Sequence, residues 1–178
     1  MIYSDPAAIG LFFMGAVVLL EKSQRVLNAL AVSPVKIHEY MIGKIVSLAA
    51  VSALAALFIA LAAGLDNIPT VLAATVLTSA VFTLLGLTAA AKINSLNQYL
   101  IVIVPLEVIC ILPPIIFLFN QDAIARLYPL SASMALISGS SQNPPQDVLI
   151  ILIIIACLFA AAYRSTVKMW KSCGGVKL

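Results

Sequence analysis

The sequence predicts an all-α, polytopic membrane helical bundle, and three observations predict it. Mean hydropathy is +1.14, with 63% hydrophobic and 10% charged residues, against the roughly half-apolar, quarter-charged make-up of a soluble domain. The apolar residues gather in runs of membrane-spanning length. Nine of the ten basic residues fall on one side of the membrane that those runs imply.

A helix needs about 20 largely apolar residues to cross a bilayer, because lipid offers no partner to an unpaired backbone group. Four runs meet that length: Ile45 to Ala63, Thr70 to Ala91, Tyr99 to Phe119, and the slightly shorter Val148 to Tyr163. A fifth, Pro6 to Leu20, rises only about 22 Å and needs Ile2 and Tyr3 to reach the far face. Its flank MIYSDP holds Asp5 and no Lys or Arg, which excludes the positive n-region of a signal peptide. The chain is thus expected to be one transmembrane domain over residues 1–178 with about five spans.

Lys22, Arg25, Lys36 and Lys44 lie between spans one and two, Lys92 between three and four, and Arg164, Lys168, Lys171 and Lys177 after span five. Only Arg126 lies on the other side, with Asp5, Asp66, Asp122 and Asp147. The positive-inside rule then places the 21–44 loop and the C-terminus in the cytoplasm of a multi-pass cell-membrane protein, with the N-terminus outside. Five spans and an external start imply a missing first span.

Two connections are tight, Gly64–Pro69 and Lys92–Gln98. The external segment 120–147 is longer and predicts a short helix at Asp122–Tyr128, a stop at Pro129, and a second short helix at Ser131–Ser138, both dipping into the membrane surface. On span two, Ser52, Ala56, Ala60 and Gly64 recur every four residues, and on span three Thr75, Ser79 and Thr83 do so. Small and hydroxylated stripes of this kind allow close helix approach and hydrogen bonds between spans. The hydroxyls of Thr75, Ser79 and Thr83 are also candidates for a substrate path.

The loop EKSQRVLNALAVSPVKIHEYMIGK breaks the apolar pattern. Glu21 and Arg25 have the spacing of a helical ion pair, so the first span is expected to continue out of the membrane as a helix. Ser33 suits an N-cap, Pro34 the first turn of a second helix, and Val32 with Ile37 a hydrophobic staple. The result is a helix, a bend and a helix at the membrane face. On the residues alone, this elbow is either an anchor or a device.

The pattern E-K-S-x-R-V-L-x-A-L-x-V-S-P-V-K-I-x-E-Y-x-I-x-K, followed by an apolar span, resembles the segment between the second and third spans of ABC type-2 export permeases, nearest to those for fluoroquinolone export. The resemblance extends to Pro105-x-Glu107, to Pro113-Pro114 and to the two short external helices. It implies a six-span fold whose first span and N-terminal helix are missing here. It also implies a coupling helix seated in a cleft of a separate cytoplasmic ATPase subunit. Carried over, Leu27, Asn28, Ala29, Leu30, Ala31, Val32, Ser33, Pro34, Glu39 and Tyr40 are the residues that would touch that ATPase.

Chemistry within the chain is limited. Gly10 and Gly15 have P-loop spacing, but Ala16 and Val17 follow where Lys and Ser or Thr belong. ATP and magnesium are therefore expected on the partner, with no cofactor or metal in this chain. The single His38 lies in the elbow and no Asp falls within a span, which argues against an intramembrane protease. Cys110, Cys157 and Cys173 show neither a disulfide framework nor metal spacing.

Glu107, in IVIVPLEVICILPPIIFLF, sits mid-span, where a charge costs at least about 2.5 kcal/mol. It must face protein or water. Pro105, Pro113 and Pro114 free the carbonyls of Ile101, Ile109 and Cys110 and predict a kink, so Glu107 is a candidate wall of the substrate path or a cation contact. The expected function is that of a permease subunit, paired with a second permease copy, exporting an amphipathic or drug-like compound with energy from the ATPase and with no role for nucleic acid. The alternatives are an ATPase-independent channel or proton-coupled carrier using Glu107, or a truncated remnant that does not transport.

Overall fold

The computed structural model describes residues 2–4, 6, 9–64, 67–119, 128, 130–141 and 143–174. A π-helical turn, Ile9–Phe13, leads directly into α1 (Met14–Ser23). Then follow α2 (Val26–Val32), α3 (Ile37–Ala63), α4 (Ile68–Lys92), α5 (Leu96–Phe119), α6 (Ser131–Ser138) and α7 (Pro144–Gly174). There is no strand among the described residues.

α4 is the axis of the bundle. It packs against α3, α7, α6, α1 and the π-turn, and 67% of its most apolar stretch is buried, against 22% for α3 and α5 and 11% for α7. The outer three therefore show mostly Leu, Ile, Val and Phe to their surroundings, including Phe58, Ile101 and Ile153, as lipid-facing helices do. Among the described residues four helices, α3, α4, α5 and α7, have the length and composition of membrane spans, where the sequence predicts about five. The remaining stretch is at the start, where Ser4 and Pro6 are helical and the π-turn with α1 covers Ile9 to Ser23. Its Leu11, Met14 and Val18 are fully buried.

Close approach explains how that stretch docks. A Cβ on Gly86 of α4 would lie 2.7 Å from the Gly10 carbonyl oxygen, and a Cβ on Gly10 would lie 2.7 Å from Phe82 Cβ. Both positions need glycine because backbone meets backbone there. The two glycines with P-loop spacing are packing residues: Gly15 likewise lies flat against the ring of Tyr99.

The remaining elements follow the expected order with shifted ends. The last span is the middle of a 31-residue helix, about 46 Å long. Its final turns, with Arg164, Lys168 and Lys171, extend past the apolar run. α5 continues as one helix through Pro105, Pro113 and Pro114. The short helix expected at Ser131–Ser138 is present with those bounds. It buries Ser131, Ala132, Ser133, Ala135 and Leu136 and packs on α4 and α7. The helix expected at Asp122–Tyr128 lies outside the described residues apart from Tyr128.

Candidate coupling elbow and intramembrane polar residues

The elbow is built from residues 21–44 together with the end of α7. α1 stops at Ser23, and Arg25 takes a left-handed conformation (φ 57°, ψ 22°) that opens the short helix α2. The first helix therefore does not continue unbroken, and the expected Glu21–Arg25 pair does not form, because Arg25 has left the helix that would align it. Glu21 instead accepts from the Lys44 ammonium, a salt bridge across to α3, and from the Tyr40 hydroxyl at 2.6 Å. Lys44 also lies 5.4 Å from the centre of the Tyr40 ring.

The bend departs from expectation in register. Ser33 closes α2 rather than opening α3: its Oγ donates to the Leu30 carbonyl at 2.9 Å and accepts from the Val35 N–H at 3.3 Å. Pro34 holds Ser33 extended (ψ 160°), as the residue before a proline prefers. α3 then begins at Ile37, with the Glu39 carboxylate accepting from the Lys36 N–H at 3.0 Å. Glu39 thus does the work of the distal half of a capping box.

Two further ties brace the elbow. Trp170 of α7 meets the Tyr40 ring edge to face, with centroids 5.8 Å apart, and Thr166, Met169 and Trp170 are all buried on that side of α7. Lys22 Nζ donates to the carbonyls of Ala90 (2.8 Å), Ala91 (3.2 Å) and Ile93 (2.7 Å). Those carbonyls lie at the C-terminus of α4, where a cation also meets the negative end of the helix dipole. Tyr40 thus serves as a hydrogen-bond donor to Glu21.

Of the coupling residues expected from sequence, Asn28, Ala29, Pro34 and Glu39 are exposed, and Leu30 and Ser33 are partly so. Leu27 (1% exposed) and Tyr40 (8%) are buried. In this structure these two lie on the inner side of the elbow, with α7 packed behind them. The side chains of Ala31 and Val32 lie outside the described residues. His38 and Lys36 are exposed.

The intramembrane candidates are not brought together. Thr75, Ser79 and Thr83 are fully buried in α4. Thr75 donates to the Val71 carbonyl of its own helix at 2.7 Å, and Ser79 pairs with Ser52 of α3 at 3.1 Å. Thr83 Oγ1 is buried with no hydrogen-bond partner among the described residues. Glu107 belongs to another helix and is partly exposed. It sits at the edge of the stripe Tyr99, Ile103, Cys110 and Pro114 that α5 turns toward the bundle, as a mid-span acid requires. No described hydrogen bond joins it to a Ser or Thr of α4.

Three tyrosines that sequence reasoning did not single out carry hydrogen bonds to backbone carbonyls. Tyr99 donates to Leu11 in the π-turn, Tyr128 to Ile109 at 3.0 Å and Tyr3 to Cys110 at 3.4 Å. Cys110 is buried and Cys157 exposed. No group of three or more His, Cys, Asp or Glu that could hold a metal occurs among the described residues.

Four apolar helices of spanning length, a braced elbow at one end and a helix that carries three prolines and an acid define a multi-pass membrane protein. Residues 1–169 match the Fluoroquinolones export permease protein family, and the chain belongs to that family. It is 29% identical over 120 residues, 65% of this chain and 50% of the relative, to a fluoroquinolones export permease protein of Mycobacterium tuberculosis strain CDC 1551 / Oshkosh. The same figures hold for its counterpart in strain H37Rv. The chain spans about half the length of these curated relatives. No solved structure matches it significantly.

Proposed function

We propose that the chain acts as the transmembrane permease subunit of an ABC-type exporter, working beside a second permease copy and driven by a separate ATPase subunit that holds ATP and magnesium. The observation that carries this reading is the bracing of the elbow. The two helices that flank α2 are tied together: α1 to α3 through Glu21 with Lys44 and Tyr40, α3 to α7 through Tyr40 with Trp170, and α1 to α4 through Lys22, while α2 itself packs on α7 and buries Leu27. A load applied to Asn28, Ala29 or Pro34 would therefore reach four helices at once, which an anchor lying on a membrane does not need. The exposed side chains at Ala29 and Pro34 are short and suit entry into a cleft. The cargo is an amphipathic, drug-like compound, in keeping with the fluoroquinolones named for the relatives. The elbow and the end of α7 would face the cytoplasm.

Isolation of the complex from native membranes tests the reading. An ATP-hydrolysing subunit should accompany the chain, and Ala29→Arg should leave the permease inserted and folded while abolishing that association or substrate-stimulated hydrolysis. The same replacement at Gly139–Gln146 should not affect association. Normal assembly and hydrolysis with Ala29→Arg would reduce the elbow to a surface anchor.

A further inference from the structure

Near its end α5 passes through Pro113 and Pro114, and a proline has no N–H to give the carbonyl four residues back. The carbonyls left open are those of Ile109 and Cys110, and a bilayer interior has no solvent donor for them. Each is taken by a phenol from elsewhere in the chain. The Tyr128 hydroxyl donates to Ile109 at 3.0 Å, and the Tyr3 hydroxyl donates to Cys110 at 3.4 Å.

Both donors are themselves held. Tyr3 is 3% exposed, with its ring 6.0 Å from Phe82 of α4 in edge-to-face contact. The Tyr128 carbonyl accepts from the N–H (3.0 Å) and Oγ (2.6 Å) of Ser131, so this residue moves with the head of α6. Earlier along α5, Tyr99 and Ile103 are fully buried in the bundle. Two successive missing backbone bonds make the helix soft at the proline pair. The direction of the last turns of α5 is thus fixed by the two phenols more than by the helix's own ladder.

We propose that Tyr3 and Tyr128 form a latch on the Pro113–Pro114 end of α5. Engaged, it closes the end of the bundle opposite the elbow. Released, it lets the last turns of α5 swing and opens that end. Release strands two carbonyls that only water or a ligand donor can satisfy, so a dry opening is disfavoured and opening is tied to the arrival of a polar partner. The gating role in transport rests on the permease reading above; the latch does not.

Cys110, 5% exposed and itself one of the latched residues, is the reporter. In a full-length chain carrying Cys157→Ala and Cys173→Ser it is the sole thiol, and its rate of modification by N-ethylmaleimide in nanodiscs reads release. Tyr128→Phe should raise that rate about tenfold, the factor corresponding to a lost hydrogen bond of about 1.4 kcal/mol. Pro113→Ala returns a backbone N–H to Ile109, so Tyr128→Phe combined with Pro113→Ala should label at the native rate. Mere uncovering of the thiol by the missing hydroxyl would persist in that double variant. Should Tyr128→Phe fail to accumulate as folded protein, Pro113→Ala should restore it. The latch is overturned by an unchanged rate in Tyr128→Phe, by equal acceleration with and without Pro113→Ala, or by failure of Pro113→Ala to restore a lost fold. None of these readouts uses ATP or substrate, so failure of the latch and failure of the permease reading are separately visible.

Discussion

The Tyr40 hydroxyl donates to the Glu21 carboxylate at 2.6 Å, joining the end of α1 to the start of α3 across α2 and the breaks on either side of it. Lys44 completes the group from one turn further along α3. With both side chains of the ion pair about four-fifths buried, the cluster loses less to solvent than a surface pair would. Removal of the hydroxyl in Tyr40→Phe leaves the ion pair in place and should cost about 1 kcal/mol. Glu21→Ala strands the Lys44 ammonium and should cost more, about 2–3 kcal/mol. Trp170 is the sole tryptophan and touches Tyr40, so thermal unfolding followed by its fluorescence reads both variants. Equal stability of the two would mean that the ion pair contributes nothing to the elbow.

A second prediction concerns Gly15. A Cβ there would fall 2.0 Å from two ring carbons of Tyr99 and 2.5 Å from its hydroxyl oxygen. Gly15→Ala must therefore expel the ring, which is fully buried, at a cost near or above the upper end of the about 1–3 kcal/mol typical of overpacking. Tyr99→Leu should partly restore the variant by making room, though it forgoes the hydrogen bond to Leu11. The recovery of monodisperse protein after solubilisation measures both. Gly15→Ala behaving like the native chain would show that this contact is looser than the geometry gives.

How much of this was legible in the sequence depended on whether the cause was local. Apolar run length places α3, α4, α5 and α7, since lipid leaves the backbone no other choice, and Ser131–Ser138 is bounded by Pro129 and Gly139 as the sequence predicts. The break at Arg25 has no Gly or Pro to announce it, so it was invisible, and with it went the Glu21–Arg25 pair. Ser33 looked like an N-cap because Ser-Pro commonly starts a helix. Which helix it serves depended on Glu39 reaching the Lys36 N–H instead. Among the candidate site residues, the stripe Thr75, Ser79 and Thr83 was visible as a face of α4, but whether a face meets a path or a neighbouring helix is decided by tertiary packing. The carbonyls freed by Pro113 and Pro114 were likewise readable, whereas their donors, Tyr3 and Tyr128, lie far away in sequence.

Ser52 and Ser79 give the third prediction. Their oxygens lie 3.1 Å apart between α3 and α4, with both residues almost wholly buried. Hydrogen bonds between membrane helices average about 0.6 kcal/mol, because each hydroxyl can fall back on a carbonyl of its own helix. Thr75 and Thr78 already do so in this structure. A double-mutant cycle of Ser52→Ala and Ser79→Ala should therefore give a coupling of about 0.6 kcal/mol. A coupling well above about 1.7 kcal/mol, the largest usual value, would mean that the fallback is closed at this site.

The last prediction tests orientation. Eight of the ten basic residues are described, namely Lys22, Arg25, Lys36, Lys44, Lys92, Arg164, Lys168 and Lys171. Contacts gather their segments at one end of the bundle. Lys22 reaches the carbonyls at the end of α4, Lys44 reaches Glu21, and Tyr40 meets Trp170 among the basic residues of α7. Such a bias in short connecting segments sets the side retained in the cytoplasm. In a chain freed of its three cysteines, a membrane-impermeant maleimide applied to intact cells should modify Ser140→Cys, on the exposed turn after α6, and leave Asn28→Cys on α2 untouched. Permeabilised cells should show both. Modification of Asn28→Cys from outside would place the elbow on the wrong face of the membrane for any cytoplasmic ATPase. The coupling role would then fall, even though every contact of the elbow remained as described.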